Sequence, residues 1–225
     1  MKIHIFFFFF ILTICAFAIY PAFFYESEPR RFAFGTADPT NRLFCFFDQK
    51  VASRISKGEL RLQDVPKWTA PFSQVLIQGK ESNLGEILTR IRKKYVGKIA
   101  IDAPLGTPPK AFVFEYINGL PSKSFDTIFA MIEEKENAHK FIENAAKKKC
   151  TYLTIRDERT HDIIGFLATI DLRNSHRELS EKCSIFIMAR MYVLMPNAIF
   201  IDYAYKNEPE SIRKMFDVAR EMYKQ

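Results

Sequence analysis

An uncharged, strongly apolar segment at the start of the chain is the feature that most constrains it. Lys2 is followed by 23 residues without a formal charge, Ile3–Tyr25, and these include the five consecutive phenylalanines Phe6–Phe10. Such a segment is either read by the export machinery or buried in a bilayer. It therefore determines the compartment in which the rest of the chain can fold and act.

Two interpretations of this segment stay open. A secretory signal peptide needs a positive start, an apolar stretch of about 7–15 residues and small residues before the cleavage site. Lys2 supplies the charge, Ile5–Ile14 the apolar stretch, and Ala16-Phe17-Ala18 a site of the A-x-A type, which predicts a signal peptide over residues 1–18. The alternative is an uncleaved signal anchor over residues 3–25, because about 20 apolar residues are enough to span a membrane.

The two interpretations predict opposite compartments. Cleavage predicts a secreted, periplasmic or otherwise extracytoplasmic protein. Retention predicts a single-pass protein that is tethered to the membrane through its N-terminal segment. Arg30, Arg31 and Arg42 would then outnumber Lys2 at the ends of that segment, so the positive-inside rule places the folded part in the cytoplasm.

The remainder has the composition of a globular protein with a basic excess. The whole chain is 48% hydrophobic and 26% charged, with a formal net charge of +7, which allows contact with anionic surfaces. Cations near a helix C-terminus are also favoured by the helix dipole, and no aromatic platform lies between the clustered basic residues, so we expect no nucleic-acid partner. The densest basic cluster consists of Arg90, Arg92, Lys93, Lys94 and Lys98.

After signal cleavage three cysteines would remain, Cys45, Cys150 and Cys183. An odd number permits at most one internal disulfide and leaves one thiol over, and the sequence does not decide which two pair. Cys150 follows three lysines, and nearby positive charge lowers the pKa of a thiol, which suits a nucleophile. Because no paired histidine is evident, the sequence favours a plain cysteine at the edge of a strand.

The chain contains no complete catalytic, metal-binding or phosphate-binding motif. His4, His139, His161 and His176 form no H-x-x-x-H pair, and no C-x-x-C is present, so we predict no metal site. Neither a G-x-S-x-G elbow nor a P-loop occurs. Asp102 ends a predicted strand, where α/β proteins often bind ligands, but aspartate at such a place also stabilises turns, and the turn interpretation is favoured.

Periodicity predicts an N-terminal α/β region over residues 26–109. Asp38 to Gly58 has the pattern of a helix, and Val75–Ile77 that of a short strand. A second helix is predicted from Asn83 to Gly97, and a buried strand from Lys98 to Ala103. The prolines that follow this strand indicate the boundary to the C-terminal region, residues 110–225.

The C-terminal region reads as a mixture of helices and strands. A strand over Ala111–Ile117 is followed by two short helices, and then by a hairpin of Thr151–Ile155 with Ile163–Leu172. Ser184–Met195 has the pattern of a central strand or a strand pair, Ile199–Tyr205 that of a strand, and a last helix begins at Pro209. This order predicts an α+β fold, a mainly antiparallel sheet with flanking helices.

The stretch from Phe125 to Leu172 resembles the front half of a GNAT N-acyltransferase. In that family two short helices lead into a hairpin whose second strand often begins with a signature like Ile163-Ile164-Gly165-Phe166. Asn207–Arg213 resembles a segment of the acetylases that modify ribosomal-protein N-termini. The resemblance covers roughly residues 110–225 and implies acetyl-CoA as a cofactor.

The resemblance fails where the family binds its cofactor. GNAT enzymes hold the pyrophosphate on an [RQ]-x-x-G-x-[GA] loop that opens a helix, since glycines let the ligand approach the main chain. The corresponding segment of this chain begins at Arg190, which matches the first position of the motif and is the one cofactor-binding candidate. Val193 and Met195 stand where the motif has its glycines. A GNAT-like fold would therefore be a degenerate, inactive version.

Two functions follow from these observations. The first is an exported or membrane-tethered, non-enzymatic protein that acts by surface binding and needs no cofactor. The second is a divergent acyl-CoA-dependent N-acyltransferase that faces the cytoplasm behind an uncleaved anchor. The sequence names no partner other than the membrane and assigns no catalytic residue.

Overall fold

The computed structural model describes residues 46–47, 49–79, 82–103, 107–173, 177–196 and 198–224. All of these residues belong to one compact unit, Arg42–Gln225. The apolar leader, Cys45 and the helix start predicted at Asp38 lie outside the described residues, as do His4 and His176. Within the described part, no helix is long and apolar enough to cross a membrane.

The described residues form four β-strands and seven α-helices. The strands are β1 (Ser73–Ile77), β2 (Pro109–Tyr116), β3 (Cys150–Arg156) and β4 (Ile163–Asp171). The helices are α1 (Gln49–Ser56), α2 (Leu84–Ile91), α3 (Ser122–Met131), α4 (Lys135–Lys147), α5 (Arg177–Met191), α6 (Ala198–Asn207) and α7 (Pro209–Met222). A π-helical turn, Arg92–Val96, extends α2, and a short 3-10 helix spans Leu62–Asp64.

The fold is α+β, as predicted. The sheet is mixed, however, so the prediction of a mainly antiparallel sheet was wrong. The strand order is β1-β2-β4-β3, in which β1 pairs with β2 and β2 with β4 in parallel, and only β3 and β4 pair antiparallel. The predicted hairpin is therefore present, but β4 lies next to β2 and runs in the same direction. The central strands β2 and β4 are apolar on both faces, which is typical of parallel strands covered by helices on each side.

Helices cover both faces of the sheet. On one face Phe114 and Leu167 are fully buried in a core with Ile128 of α3 and Phe141 of α4. On the other face Tyr152 stacks against Phe166 and meets the ring of Phe186 in α5 edge-on. The predicted helix pair α3–α4, the helix α2 and the last helix α7 are all confirmed, because their apolar residues follow a clear helical period.

Two predicted strands are helices instead. Ser184–Met195 falls largely within α5, and Ile199–Tyr205 falls within α6. Nine of the 15 residues of α5 are buried, and from Cys183 onward all of them are buried or half-buried, so this part lacks the amphipathic period that identifies a helix. In α6 apolar and polar residues alternate along part of the sequence, which resembles a strand. The buried residues nevertheless have helical spacing: Phe200, Ile201 and Ala204.

The strand predicted over Lys98–Ala103 is also wrong. This segment forms turns, in which the N–H of Asp102 donates to the carbonyl of Ile99 at 2.9 Å. Its only ladder contact within the described residues is an isolated parallel bridge between Phe72 and Asp102. Ile99 and Ile101 are buried although they lie in turns. Their apolar side chains therefore give the segment the sequence pattern of a buried strand.

Candidate functional site

The end of α2 carries a basic surface, which we define as Arg90, Lys93, Lys94, Lys98, Arg213 and Arg220. The first four belong to the cluster predicted from the sequence. The last two come from α7, more than 100 residues further along the chain. Arg213 Nε donates to the carbonyl of Lys94 at 3.1 Å, and Arg220 donates to the carbonyl of Val96. No local motif links the two segments, so their proximity could not be read from the sequence.

Three hollows in the surface meet at Lys93. The first, about 870 Å³, lies along α2 and is bordered by Gln78 and Ser82. The second, about 510 Å³, lies between the π-helical turn and α7. The third, about 540 Å³, opens toward Asp102 and Ala103. Lys93 lines all three, so a ligand in any of them lies next to this residue.

All three arginines of this surface are already paired with a carboxylate. Arg90 contacts Glu181 at 3.1 Å, and Arg213 contacts Glu210 at 3.1 Å. Arg220 is paired with Asp217. The lysines Lys93, Lys94 and Lys98 differ, because all three are exposed and none has an acidic partner among the described residues. Lys94 Nζ instead lies over the ring of Tyr95, 4.9 Å from its centroid. These lysines are the charges of the basic surface that remain available to an anionic ligand, and Lys93 and Lys98 are the two with no aromatic contact either.

A partly buried hydrogen-bond network lies beside the third hollow, which two of its members, Arg92 and Asp102, line. Tyr192 donates its hydroxyl hydrogen to Asp102 Oδ1 at 2.5 Å, and Arg92 donates to Asp102 Oδ2 at 3.0 Å and to the Tyr192 oxygen at 2.8 Å. Burial, together with the Asp102 carboxylate, raises the pKa of Tyr192 well above its ordinary value, so the hydroxyl stays protonated. Asp102 Oδ2 also accepts from the N–H of Ile99 at 3.1 Å. Asp102 thus stabilises a turn, as the favoured interpretation predicts.

Cys150, which the sequence favours as a strand-edge cysteine over a nucleophile, is not a free thiol. Cys150 forms a disulfide with Cys183, with 5.8 Å between their Cα atoms, and so joins the start of β3 to α5. The nucleophile interpretation is therefore wrong, and the pairing that the sequence left open is decided. Among the described residues, no group of three histidine, cysteine, aspartate or glutamate side chains could hold a metal ion. His139 instead packs edge-on against Phe129.

Arg190 lies in the last turn of α5. Its guanidinium lies over the rings of Tyr152 and Phe186, 4.9 Å from each centroid. After it, Val193 adopts a left-handed φ of 73°, and Leu194 N–H donates to the carbonyl of Ala189, which closes the helix as a Schellman motif. The segment therefore ends a helix, whereas the acyltransferase loop opens one. Arg190 as a cofactor ligand stays a prediction.

Comparisons with known proteins identify no relative of this chain. No protein-family model matches the chain, and no curated protein or solved structure is significantly similar to it. The function must therefore be inferred from the chemistry of the surfaces themselves.

Proposed function

We propose that this is an exported, non-enzymatic binding protein that holds a polyanionic polysaccharide on the basic surface. The ligand class is a chain bearing sulfate or carboxylate groups. The observation that carries the proposal is the position of Lys93, exposed and without an acidic partner in the described part of the chain, where the three hollows meet. A flexible chain can place successive anionic groups in neighbouring hollows around one ammonium group.

Two features support an extracytoplasmic location. The leader has the charge, apolar stretch and small residues of a secretory signal peptide. The disulfide between Cys150 and Cys183 is of a kind that forms and persists in oxidising compartments and is rare in the cytosol. Both observations fit cleavage of the leader better than retention with the folded part in the cytoplasm.

The shape and composition of the surface favour a polysaccharide over a membrane or a nucleic acid. The large exposed apolar side chains of the described residues, which a membrane-inserting surface would use, do not line the three hollows. The one aromatic residue that lines them, Tyr95, is 3% exposed, so it offers bases no stacking surface. Anionic groups on a carbohydrate need neither feature.

The helix dipole is the competing explanation for part of this surface. Cations in the last turn of a helix are stabilised by its carbonyl ends, and Arg220 binds one of those carbonyls directly. The dipole effect is confined to the last turn, however, and Lys98 lies beyond Gly97, where the helix has ended. Lys93 lies within that last turn, so the dipole accounts for Lys93 but not for Lys98. A ligand-binding role is therefore tested on Lys98 together with Lys93, which lines all three hollows.

The test is the affinity for heparin, a sulfated polysaccharide, as a function of salt. The double variant Lys93→Ala/Lys98→Ala should bind roughly 30-fold more weakly, since a basic residue near an anionic surface contributes about 1 kcal/mol. The slope of log affinity against log salt should fall by roughly 0.7 per lost contact. The matched control is Lys123→Ala/Lys135→Ala, which removes two exposed lysines from α3 and α4. Equal losses in both variants would mean that binding follows net charge alone, against the proposal.

Export is tested separately on the full chain. The N-terminus of the mature protein, determined by intact mass, should be Ile19, and the protein should be found outside the cytoplasm. Saturable binding of acetyl-CoA that Arg190→Ala abolishes would instead support the acyltransferase alternative.

A further inference from the structure

The outermost strand β3 presents free backbone groups at one edge of the sheet. Asp171 N–H donates to the carbonyl of Lys149 at 2.8 Å, so in this antiparallel ladder the odd-numbered residues of β3 bond to β4. The N–H and C=O groups of Tyr152 and Thr154 therefore point away from the sheet. Within the described residues, neither N–H has a hydrogen-bond partner.

A groove of about 880 Å³ lies between this edge and α4. Residues 151–159 form one side, and Asn137, Lys140 and Asn144 of α4 contribute to the other. A strand edge on one side and a helix on the other is the arrangement in which an extended peptide adds to a sheet, since the main chain supplies hydrogen bonds and the helix supplies side-chain contacts.

The groove offers apolar contacts at a spacing that suits an extended chain. Leu153 and Ile155 lie two residues apart on β3 and are only partly buried, and Met131 at the end of α3 lies in the same lining. Ile164 also lines the groove and is 48% exposed, an unusual state for an isoleucine within a strand. Alternate side chains of an added strand point to the same face, so they would cover these residues.

The charges in the groove indicate the chemistry of the partner. The lining carries four carboxylates and three cationic side chains. Arg156 donates to the carbonyl of His161, and Lys140 pairs with Glu136 at 2.7 Å, so two of the cations are engaged. Glu133 and Glu158 are exposed and have no ion pair among the described residues. A lysine or arginine on the partner would meet a complementary charge.

We propose that this groove binds an extended peptide as a fifth strand beside β3. The peptide has apolar side chains at alternate positions and at least one lysine or arginine. A second copy of the chain, paired through its own β3, fits less well because it would bring the same excess of carboxylates to the interface. The proposal concerns a surface distinct from the basic surface and does not depend on it.

The test uses a library of linear dodecapeptides displayed on phage and selected on the full chain. Selected peptides should alternate apolar residues and contain a basic residue. They should bind Thr154→Val, which keeps the N–H, as tightly as the original protein. Thr154→Pro removes that outward N–H from an edge strand, where proline is tolerated, and should bind at least tenfold more weakly. Lys93→Ala/Lys98→Ala should leave peptide binding unchanged.

A second variant covers the case in which Thr154→Pro does not fold. Glu133→Lys/Glu158→Lys changes only exposed loop residues and should weaken the selected basic peptides about tenfold, a loss that high salt reduces. Equal affinity of these peptides for Thr154→Val and Thr154→Pro would overturn the proposal. So would a selection without a saturable binder, or a dimer in sedimentation equilibrium that Thr154→Pro abolishes.

Discussion

Removal of the disulfide between Cys150 and Cys183 should lower the stability of the fold substantially. The bridge closes a loop across a sequence separation of 33 residues. In the chain-entropy account, closing a loop of that length restricts the unfolded chain and stabilises the folded protein by about 4 kcal/mol at 25 °C. The loop contains the whole β3–β4 hairpin and the start of α5, so its loss loosens the edge strand as well.

The free energy of unfolding should be measured by urea denaturation of Cys150→Ala/Cys183→Ala beside the original protein. We expect the double variant to be less stable by about 2–5 kcal/mol. Treatment of the original protein with a reductant should produce a comparable loss and should leave the double variant unchanged. Cys45→Ala is the matched control, because it removes a cysteine but keeps the bridge and therefore keeps the sensitivity to reductant.

A difference below about 1 kcal/mol between the oxidised protein and the double variant would refute this reasoning. It would mean that the bridge does not restrict the unfolded chain, or that the hairpin and α5 remain associated when the protein unfolds. Hydrogen exchange at Leu153 and Ile155, whose N–H groups bond to β4, would separate the two outcomes, because only persistent association keeps the hairpin protected in the reduced unfolded chain.

Two further substitutions test buried polar groups. Tyr192→Phe removes the hydroxyl that donates to Asp102 and should lower the free energy of unfolding by about 1–3 kcal/mol, measured by urea denaturation, since it leaves a carboxylate oxygen short of a donor. Asp171 is buried, which raises its pKa, but hydrogen bonds from Arg173 and Lys149 outweigh burial and hold the pKa below its ordinary value. Its contribution to stability is therefore complete above about pH 4 and is lost as pH falls through the folded pKa, so Asp171→Asn should be destabilised by about 2 kcal/mol at pH 7 and progressively less toward pH 2.

Each of these predictions has a result that contradicts it. Tyr203→Phe is the matched control for Tyr192→Phe, because Tyr203 is 40% exposed. An equal loss of stability in both variants would mean that the hydrogen bond from Tyr192 to Asp102 does not stabilise the fold. For Asp171, a stability difference between variant and original protein that stays constant from pH 5 to pH 2 would show that the carboxylate has an ordinary pKa.

The sequence predicted the elements whose pattern is locally complete. The hairpin of β3 and β4, the helix pair α3–α4 and the helix α7 each combine a regular apolar period with turn or capping residues, so their existence follows from short-range physics. The basic cluster from Arg90 to Lys98 was visible for the same reason, since its members lie within ten residues of one another. These features require no knowledge of distant contacts.

The tertiary structure decided everything that depends on what a segment is buried against. Ser184–Met195 is almost wholly apolar because every residue of this segment is buried or half-buried, and such a pattern does not distinguish a helix from a strand. The parallel pairing of β2 with β4 joins segments about 50 residues apart, and its direction is set by how the intervening helices cover the sheet. Sequence periodicity contains no information on that direction.

The binding surfaces, like the fold, depend partly on local sequence and partly on long-range packing. By itself, the sequence determined the apolar N-terminal segment and the excess of positive charge, and it limited a chain cleaved after Ala18 to one internal disulfide. Only the folded chain brought Arg213 and Arg220 to the basic surface, paired Cys150 with Cys183 and left the edge of β3 open beside α4. Composition and local pattern are properties of neighbouring residues, whereas a binding surface is assembled by long-range packing, which joins residues that no local rule connects.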